Sequence, residues 1–212
     1  MPSYPIELDL RGRRVLVVGL GAVGGRKAAG LVEAGAAVVG VDPGAGVVAP
    51  PGVEHRAEPF RAEHLEGIGL AVAAATPGVN RRVVEEARAR GVWVNAASEP
   101  DLGDFAVPAV WRGGPITLTV STAGASPALA RTLRDRAAAA IVGAAPLAAL
   151  LAELRPVAAA RVADPGARRR LLAGWGDPRW LDLWAAGGAE AVRTMLLLSI
   201  DRAALGNIAL HE

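Results

Sequence analysis

Residues 15–24 read Val-Leu-Val-Val-Gly-Leu-Gly-Ala-Val-Gly, and this stretch decides the fold. Four β-favouring residues lead into a Gly-x-Gly-x-x-Gly turn, and alanine-rich helical sequence follows. In this pattern Gly19 allows a tight turn, Gly21 lets the backbone approach a pyrophosphate, and Gly24 lets the helix pack closely on the strand. The phosphates would then meet unpaired N–H groups at the helix N-terminus. The alternative is a purely structural glycine turn that binds no ligand.

The sequence downstream of the turn favours dinucleotide binding. The helix is predicted to end at Gly35, and a second apolar strand over residues 37–41 leads into Asp42. An acidic side chain there can accept hydrogen bonds from both ribose hydroxyls of an adenosine. Because Pro43 rather than an arginine follows Asp42, NAD is favoured over NADP as the cofactor. The residues predicted to bind the cofactor are Gly19, Gly21, Ala22, Val23, Gly24, Asp42 and Thr76.

Composition narrows the class of protein. The chain of 212 residues is 52% hydrophobic, which is enough for one large or two small cores. It contains no cysteine, so disulfides and thiolate metal sites are excluded. His55, His64 and His211 share no ligand spacing, so no metal site is predicted. With 4% aromatic residues and no long basic run, nucleic-acid binding is not expected.

Membrane segments are not expected either. The first ten residues do not resemble a secretory signal. The longest apolar run, over residues 137–152, is short for a membrane span and is interrupted by Pro146. A cytoplasmic protein is the simplest interpretation.

Strand and helix patterns alternate through residue 95, which predicts an α/β fold with a Rossmann-type doubly wound parallel sheet. Further strands are expected over residues 53–57, 70–75 and 92–95, with helices over 61–66 and 80–90. Strands over 105–110 and 116–121 should form a hairpin, and a helix over 127–142 should start at Ser126. The remainder is predicted to be helical, with breaks at Pro156, Pro165, Pro178 and Gly187-Gly188. The domains are accordingly predicted at 1–104, 105–145 and 146–212.

Two segments carry residues suited to chemistry. The acidic loop over residues 96–104 follows a parallel strand, and such loops lie at the ligand-binding edge of the sheet. Asp104 is the candidate general base there, and a solvated acidic turn is the alternative. The small residues 121–127 lead into a helix that carries Arg131 and Arg134, an arrangement suited to binding carboxylate or phosphate groups. Its alternative is an ordinary capped helix with a basic face.

Three motifs resemble the precorrin-2 dehydrogenase family, the NAD-dependent part of siroheme synthase. Residues 19–27 look like its glycine turn followed by Arg-Lys. Residues 95–105, Asn-Ala-Ala-Ser-Glu-Pro-Asp-Leu-Gly-Asp-Phe, are similar to its Asn…Asp-Pro-x-Leu-Cys-Asp-Phe motif. Residues 121–131 look like its Ser-Thr-x-Gly-x-Ser-Pro-x-Leu-Ala-Arg motif. The resemblance is good over residues 8–136 and covers the helical tail only in general character.

The resemblance implies an enzyme that oxidises precorrin-2 to sirohydrochlorin with NAD, acting as a homodimer whose middle strands and helices interlock. It places the key aspartate of the family at Asp104 and substrate binding at Ser126, and Arg131 and Arg134 suit the carboxylates of a tetrapyrrole. Some family members also insert iron, which the lack of cysteine and the scarcity of histidine disfavour here. The sequence departs from the family pattern at Gly103, where cysteine is usual, and at Ser98 and Ala125.

Two other functions fit parts of the sequence. A non-catalytic NAD-binding regulatory module would need the glycine turn and Asp42, but neither the Asp104 loop nor the helix that starts at Ser126. A protein that acts mainly as a sirohydrochlorin chelatase would keep the same fold. The two motifs outside the glycine turn favour the enzyme over the regulatory module, and the sequence leaves the choice between dehydrogenase and chelatase open.

Overall fold

The computed structural model describes residues 4–206, which form two compact units. One unit extends to Val107 and the other starts at Pro108. The predicted boundary at 104/105 lies close to this division, and the further boundary at 145/146 stays a prediction. The outer domain limits at 1 and 212, and His211, lie outside the described residues.

The first unit is built on a parallel sheet of five strands in the order β3-β2-β1-β4-β5. These are β1 Arg14–Val18, β2 Ala37–Val41, β3 Val53–Arg56, β4 Leu70–Ala73 and β5 Trp93–Ala96. Helix α1, Ala22–Glu33, connects β1 to β2, and helix α2, Pro77–Ala89, connects β4 to β5. Short 3₁₀ turns span Ala62–Leu65 and Pro100–Leu102. The predicted Rossmann-type sheet is therefore confirmed.

Both faces of this sheet are covered, which explains why β1, β2 and β4 are apolar without alternation. Leu16 on one face packs in a cluster that includes Val83 of α2. Val15 and Val17 on the other face pack in a cluster that includes Ala28 of α1. These side chains are fully buried, and each contributes about 1.5–3 kcal/mol through the hydrophobic effect.

The predicted starts of two elements, one in each unit, are corrected. Helix α2 begins at Pro77 rather than at residue 80, because proline is favourable in the first turn and Thr76 takes the N-cap position. The strand predicted over 105–110 begins only at Ala109. Pro108 has no N–H to donate to a ladder, so strand pairing starts after it.

The second unit combines a hairpin with a helical cluster. Strands β6, Ala109–Gly113, and β7, Ile116–Val120, pair antiparallel, which confirms the predicted hairpin. Helix α3, Pro127–Ile141, packs on both strands. Helices α4, Ala145–Arg161, α5, Pro165–Gly174, and α6, Arg179–Ala204, share a core that includes Leu154, Leu171 and Ile200.

The predicted breaks in the helical region have different outcomes. Helices α5 and α6 start at the predicted Pro165 and Pro178 breaks, with Asp164 accepting hydrogen bonds from the first turn of α5. Gly188 kinks α6, with φ 70° and ψ −173°. The break at Pro156 is wrong, because α4 continues through it. Leu154 and Ala158, on either side of that proline, are buried in the same core and hold the helix together.

Two helical stretches are long and apolar enough, by length and composition alone, to cross a membrane. They are Pro127–Arg161, which contains α3 and α4, and Arg179–Ala204, which is α6. Core helices of soluble proteins pass the same test, and α4 and α6 pack against each other in one core. The finding therefore gives no membrane assignment.

Glycine packing in α1 gives a direct test of this fold. We expect Gly24→Ala to lower the free energy of unfolding by about 1–3 kcal/mol, because its Cβ would lie 1.8 Å from the Gly19 carbonyl oxygen. Gly30→Ala is the matched control in the same helix, where an added Cβ would have no neighbour within 4 Å. It should raise stability by about 0.5–1 kcal/mol. Chemical denaturation of both variants measures the difference, and equal stabilities would contradict the close packing at Gly24.

Candidate functional site

The glycine turn after β1 has two positions where packing demands glycine and one that is open. Gly19 has φ +89°, and an added Cβ would lie 2.5 Å from the Ala74 carbonyl oxygen. At Gly24 an added Cβ would collide with the carbonyl of Gly19. At Gly21 it would meet nothing within 4 Å. The first two glycines are thus explained by the fold, whereas Gly21 borders free space.

This free space lies at the N-terminus of α1 and suits a bound pyrophosphate. Gly21 is the N-cap, so no side chain caps the helix. The first turn carries no acidic residue, and Ala22 and Val23 are exposed there. Burial lowers the pKa of half-buried Lys27 in the next turn, and the neighbouring Arg26 lowers it further. An uncapped, non-acidic helix start with room for close backbone approach fits the phosphates of a dinucleotide.

Asp42 lies directly after β2 and holds the glycine turn in place. Its Oδ2 accepts a hydrogen bond from the Leu20 N–H at 2.7 Å, and its Oδ1 accepts one from the Gly44 N–H at 2.8 Å. The His55 Nε2 lies 3.3 Å from the Asp42 carbonyl oxygen. A carboxylate oxygen can accept more than one hydrogen bond, so Asp42 retains acceptor capacity for ribose hydroxyls.

The third cofactor loop follows β4 and contains Thr76. This residue is exposed at the N-cap of α2 without a side-chain capping bond. The carbonyl of Ala74 in the same loop is the group that an added Cβ at Gly19 would contact. The structure therefore brings the predicted cofactor residues together at the carboxyl edge of β1, β2 and β4.

Asp104 occupies a position that sequence reasoning did not anticipate. Its N–H donates to the Val94 carbonyl at 2.7 Å, and its Oδ2 accepts from the Val94 N–H at 3.0 Å. Its Oδ1 accepts a longer hydrogen bond from the Arg88 Nε at 3.3 Å. The chain turns back after residue 102 and runs along the open edge of β5. Asp104 consequently lies beside the early part of β5 rather than at its carboxyl end.

Two buried asparagines in the first unit were not identified as site residues. Asn80 is completely buried on the face of α2 that also carries Val83 and Val84. The Asn95 Nδ2 donates to the Phe105 carbonyl at 2.8 Å, and its Oδ1 has no hydrogen-bond partner among residues 4–206. A polar residue within an apolar helical stripe is the sequence signal that could have identified Asn80.

In the second unit, the motif over residues 121–131 forms an internally bonded turn before α3. Ser126 caps the helix, since its Oγ accepts from the Leu129 N–H at 3.1 Å. Its own N–H donates to the Thr122 Oγ1 at 3.1 Å. Ala123 has φ +50° and is the one non-glycine residue with positive φ among residues 4–206. The predicted helix start is confirmed, and its role in binding stays a prediction.

The two arginines on α3 differ in their surroundings. Arg134 is half-buried, and its Nη1 donates to the Val110 carbonyl of β6 at 3.3 Å. Its Nη2 also contacts the Asp135 carboxylate at 2.6 Å. Arg131 is exposed and makes no hydrogen bond or ion pair within the described part of the chain. Arg134 thus ties α3 to the hairpin, while Arg131 remains available to a ligand.

No group of three histidine, aspartate or glutamate side chains is arranged to hold a metal ion within residues 4–206. His64 instead lies 3.0 Å from the Glu58 carboxylate, and this hydrogen bond holds the pKa of Glu58 below its usual value. The prediction that the protein has no resident metal stays a prediction.

Comparison with known proteins identifies the first unit more closely. Residues 6–109 match the family model described as NAD(P)-binding, and this range contains every predicted cofactor residue. The predicted dinucleotide cofactor is therefore confirmed. The individual contacts, and the preference for NAD over NADP, stay predictions.

Related sequences cover almost the whole chain. The siroheme synthase of Methylococcus capsulatus is 38% identical over 211 residues, which are 96% of this chain and 44% of that protein. The siroheme synthase of Photobacterium profundum is 33% identical over 99% of this chain and 46% of its own length. The chain spans less than half the length of these curated relatives.

A solved structure shares the fold. The structure described as SirC, precorrin-2 dehydrogenase, superposes with a TM-score of 0.75 and 23% sequence identity, covering 94% of this chain and 100% of that one. The NAD(P)-binding family model, the siroheme synthase relatives and the shared fold agree with the three sequence motifs. The chain belongs to the family formed by precorrin-2 dehydrogenases and the N-terminal dehydrogenase region of siroheme synthases.

Proposed function

We propose that the chain is an NAD-dependent oxidoreductase that dehydrogenates precorrin-2 to sirohydrochlorin in tetrapyrrole biosynthesis. The observation that carries this proposal is the carboxyl edge of the sheet. There the open space at Gly21, the uncapped start of α1 and the Asp42 carboxylate together fit a dinucleotide. Siroheme synthase relatives aligned over 96% of the chain support the substrate.

Bound NAD supplies the acceptor for a hydride that leaves a carbon of the macrocycle. The dehydrogenation also releases one proton, and we assign Asp104 as the base that takes it. Its Oδ2 accepts from the Val94 N–H at 3.0 Å, whereas its Oδ1 accepts two longer hydrogen bonds from Arg88, from Nε at 3.3 Å and from Nη2 at 3.4 Å. The side chain is 31% exposed, so Oδ1 is open to a proton donor.

We assign substrate binding to Ser126, Arg131 and Arg134, since precorrin-2 carries many carboxylates and guanidinium groups bind carboxylates in a planar, two-pronged geometry.

We also propose a homodimer. Leu129 and Leu133 on α3 are 50% and 42% exposed, and a second copy of the chain would cover this apolar surface. The proposed setting is the cytoplasm, with no nucleic-acid partner and no membrane contact.

The proposed function is tested by incubating the purified chain with precorrin-2 and either NAD or NADP. NADH absorbance and the sirohydrochlorin spectrum should rise together with NAD. Because Asp42 repels a 2′-phosphate, kcat/KM with NADP should be at least about tenfold lower, the cost of about 1.4 kcal/mol of lost binding. Comparable values for both cofactors would reject the assignment of Asp42. NAD binding without turnover would favour the regulatory module.

Gly21→Ala separates cofactor binding from folding in the same assay. The added methyl group has no protein neighbour within 4 Å, so the melting temperature should stay close to that of the wild type. The methyl group would occupy the space that a pyrophosphate needs, so Kd for NAD should rise. Unchanged NAD affinity would place the phosphates elsewhere.

The arginines of α3 give a test of substrate binding. Arg131→Ala should raise KM for precorrin-2 by about tenfold, the expected loss of one charge-assisted hydrogen bond, and should weaken the salt dependence of KM. Its stability should not change, because the Arg131 side chain makes no hydrogen bond or ion pair in the described part of the chain. Arg134→Ala should raise KM and also lower Tm, since it loses the Val110 contact. Arg136→Ala, an exposed change on the same helix, is the control. Unchanged KM in Arg131→Ala would leave this residue as a surface charge.

Asp104→Asn tests the proposed base. Loss of general-base catalysis should lower kcat by about 10²–10⁴-fold, while the amide can still accept the Val94 N–H bond and preserve the fold. Arg88→Gln breaks the same ion pair but leaves the carboxylate, so its effect on kcat should be much smaller. Asp101→Asn is a second control within the loop.

Equal losses of kcat in Asp104→Asn and Arg88→Gln would show that the ion pair matters only for structure. A folded Asp104→Asn protein with near-native turnover would remove Asp104 from the mechanism.

A further inference from the structure

The loop over residues 97–104 follows β5 and receives side-chain contacts from α2. Backbone bonds also hold both of its ends, from the Ala97 N–H to the Ala73 carbonyl and from the Asp104 N–H to the Val94 carbonyl. Neither its hydrogen bonds nor the residues that make them are used in the proposed chemistry, apart from Asp104. The loop after β4, residues 74–76, lies beside it, because β4 and β5 are neighbours that end at the same edge. The relative position of these two loops is therefore a property of the proposed cofactor edge.

Asn80 connects the two loops through a completely buried side chain. Its Oδ1 accepts from the Ala75 N–H at 2.8 Å, and its Nδ2 lies 3.2 Å from the Ala75 carbonyl oxygen. The same Nδ2 donates to the Ser98 Oγ at 3.1 Å. The Asn80 side-chain amide thus bonds to the N–H and the carbonyl of Ala75 after β4 and to the Ser98 hydroxyl after β5. Every polar atom of this side chain has a partner.

Helix α2 reaches the same loop at two further points. The Arg81 Nε lies 3.6 Å from the Glu99 Oε2. The Arg88 Nη2 donates to the Leu102 carbonyl at 2.9 Å. Both arginines are more than half exposed, so these contacts are weaker than a buried hydrogen bond. The Asn80–Ser98 bond differs from these two because its partner on α2, the Asn80 amide, is completely buried.

We propose that Asn80 and Ser98 are positioning residues that set the loop over residues 97–104 relative to the loop after β4. This inference rests on the proposed function, since it assumes that the loop over 97–104 serves the reaction. The physical reason is that the Asn80 amide is completely buried and held by two contacts to Ala75, so it offers Ser98 a fixed partner. An exposed arginine side chain loses conformational entropy when it is held in one geometry. The bond acts on the geometry of the loop and not on substrate or cofactor directly.

The test uses Ser98→Ala, which removes only the bond between the loops and leaves both Asn80–Ala75 contacts intact. Losing this neutral, part-buried hydrogen bond should lower kcat by roughly threefold to tenfold, with Kd for NAD changed less than about twofold. Ser98→Thr keeps the hydroxyl and should restore most of kcat. Arg82→Gln, on the part of α2 that faces Phe60, is the control and should leave kcat unchanged.

A double-mutant cycle with Asn80→Ala shows whether the two residues act through one bond. The double variant should lose no more kcat than Asn80→Ala alone, because the Ser98 contact is already absent there. Independent, additive losses would overturn the proposal.

Amide hydrogen exchange reads the loop without any activity assay. Ser98→Ala should speed exchange over residues 97–104 and leave β4 unchanged. Faster exchange with native kcat would overturn the positioning role, and so would a loss of kcat with unchanged exchange. An inactive wild-type protein would reject the proposed function, whereas the exchange measurement would still decide whether the bond orders the loop.

Discussion

The contact between Gly24 and Gly19 is the constraint on which the first unit depends. With an added Cβ at Gly24 only 1.8 Å from the Gly19 carbonyl, α1 can pack on the strand only if this position has no side chain. That close approach points the start of α1 at the carboxyl edge of the sheet. The helix N-terminus, with its unpaired N–H groups, then lies where parallel α/β sheets bind ligands. Asp42 completes the arrangement by holding the Leu20 N–H of the same turn.

The two helices of the first unit serve this edge in different ways. Helix α1 contributes its N-terminus and leaves the space beside Gly21 open. Helix α2 contributes side chains from its first and last turns, which hold the loop after β5 at Ser98 and at Leu102. A loop whose regular structure is limited to one short 3₁₀ turn is thereby given a defined place by a rigid element. This explains how Asp104 is brought against the free edge of β5.

In the second unit, Arg134 shows why a residue type does not define a role. Sequence spacing places Arg131 and Arg134 close together on α3, and both suit carboxylate binding. The structure shows that Arg134 is half-buried and bonded to the hairpin, whereas Arg131 is exposed. A guanidinium that holds two elements together can still contribute charge, but its removal also affects stability.

The sequence by itself determined the parallel sheet, the glycine turn, the position of Asp42 after β2, the hairpin and the helix start at Ser126. These features depend on local periodicity, on glycine and proline geometry, and on short motifs, which neighbouring residues specify. The helix break at Pro156 was misjudged because Leu154 and Ala158, beside it in α4, are buried against distant helices. This packing outweighs the missing hydrogen bond. Only the tertiary structure decided that Asp104 lies beside Val94 and that Asn80 joins two loops. These contacts join residues 10 and 18 positions apart, so no local sequence pattern specifies them. The Asn80 contact also depends on strand order, because β4 and β5 must be neighbours for it to form.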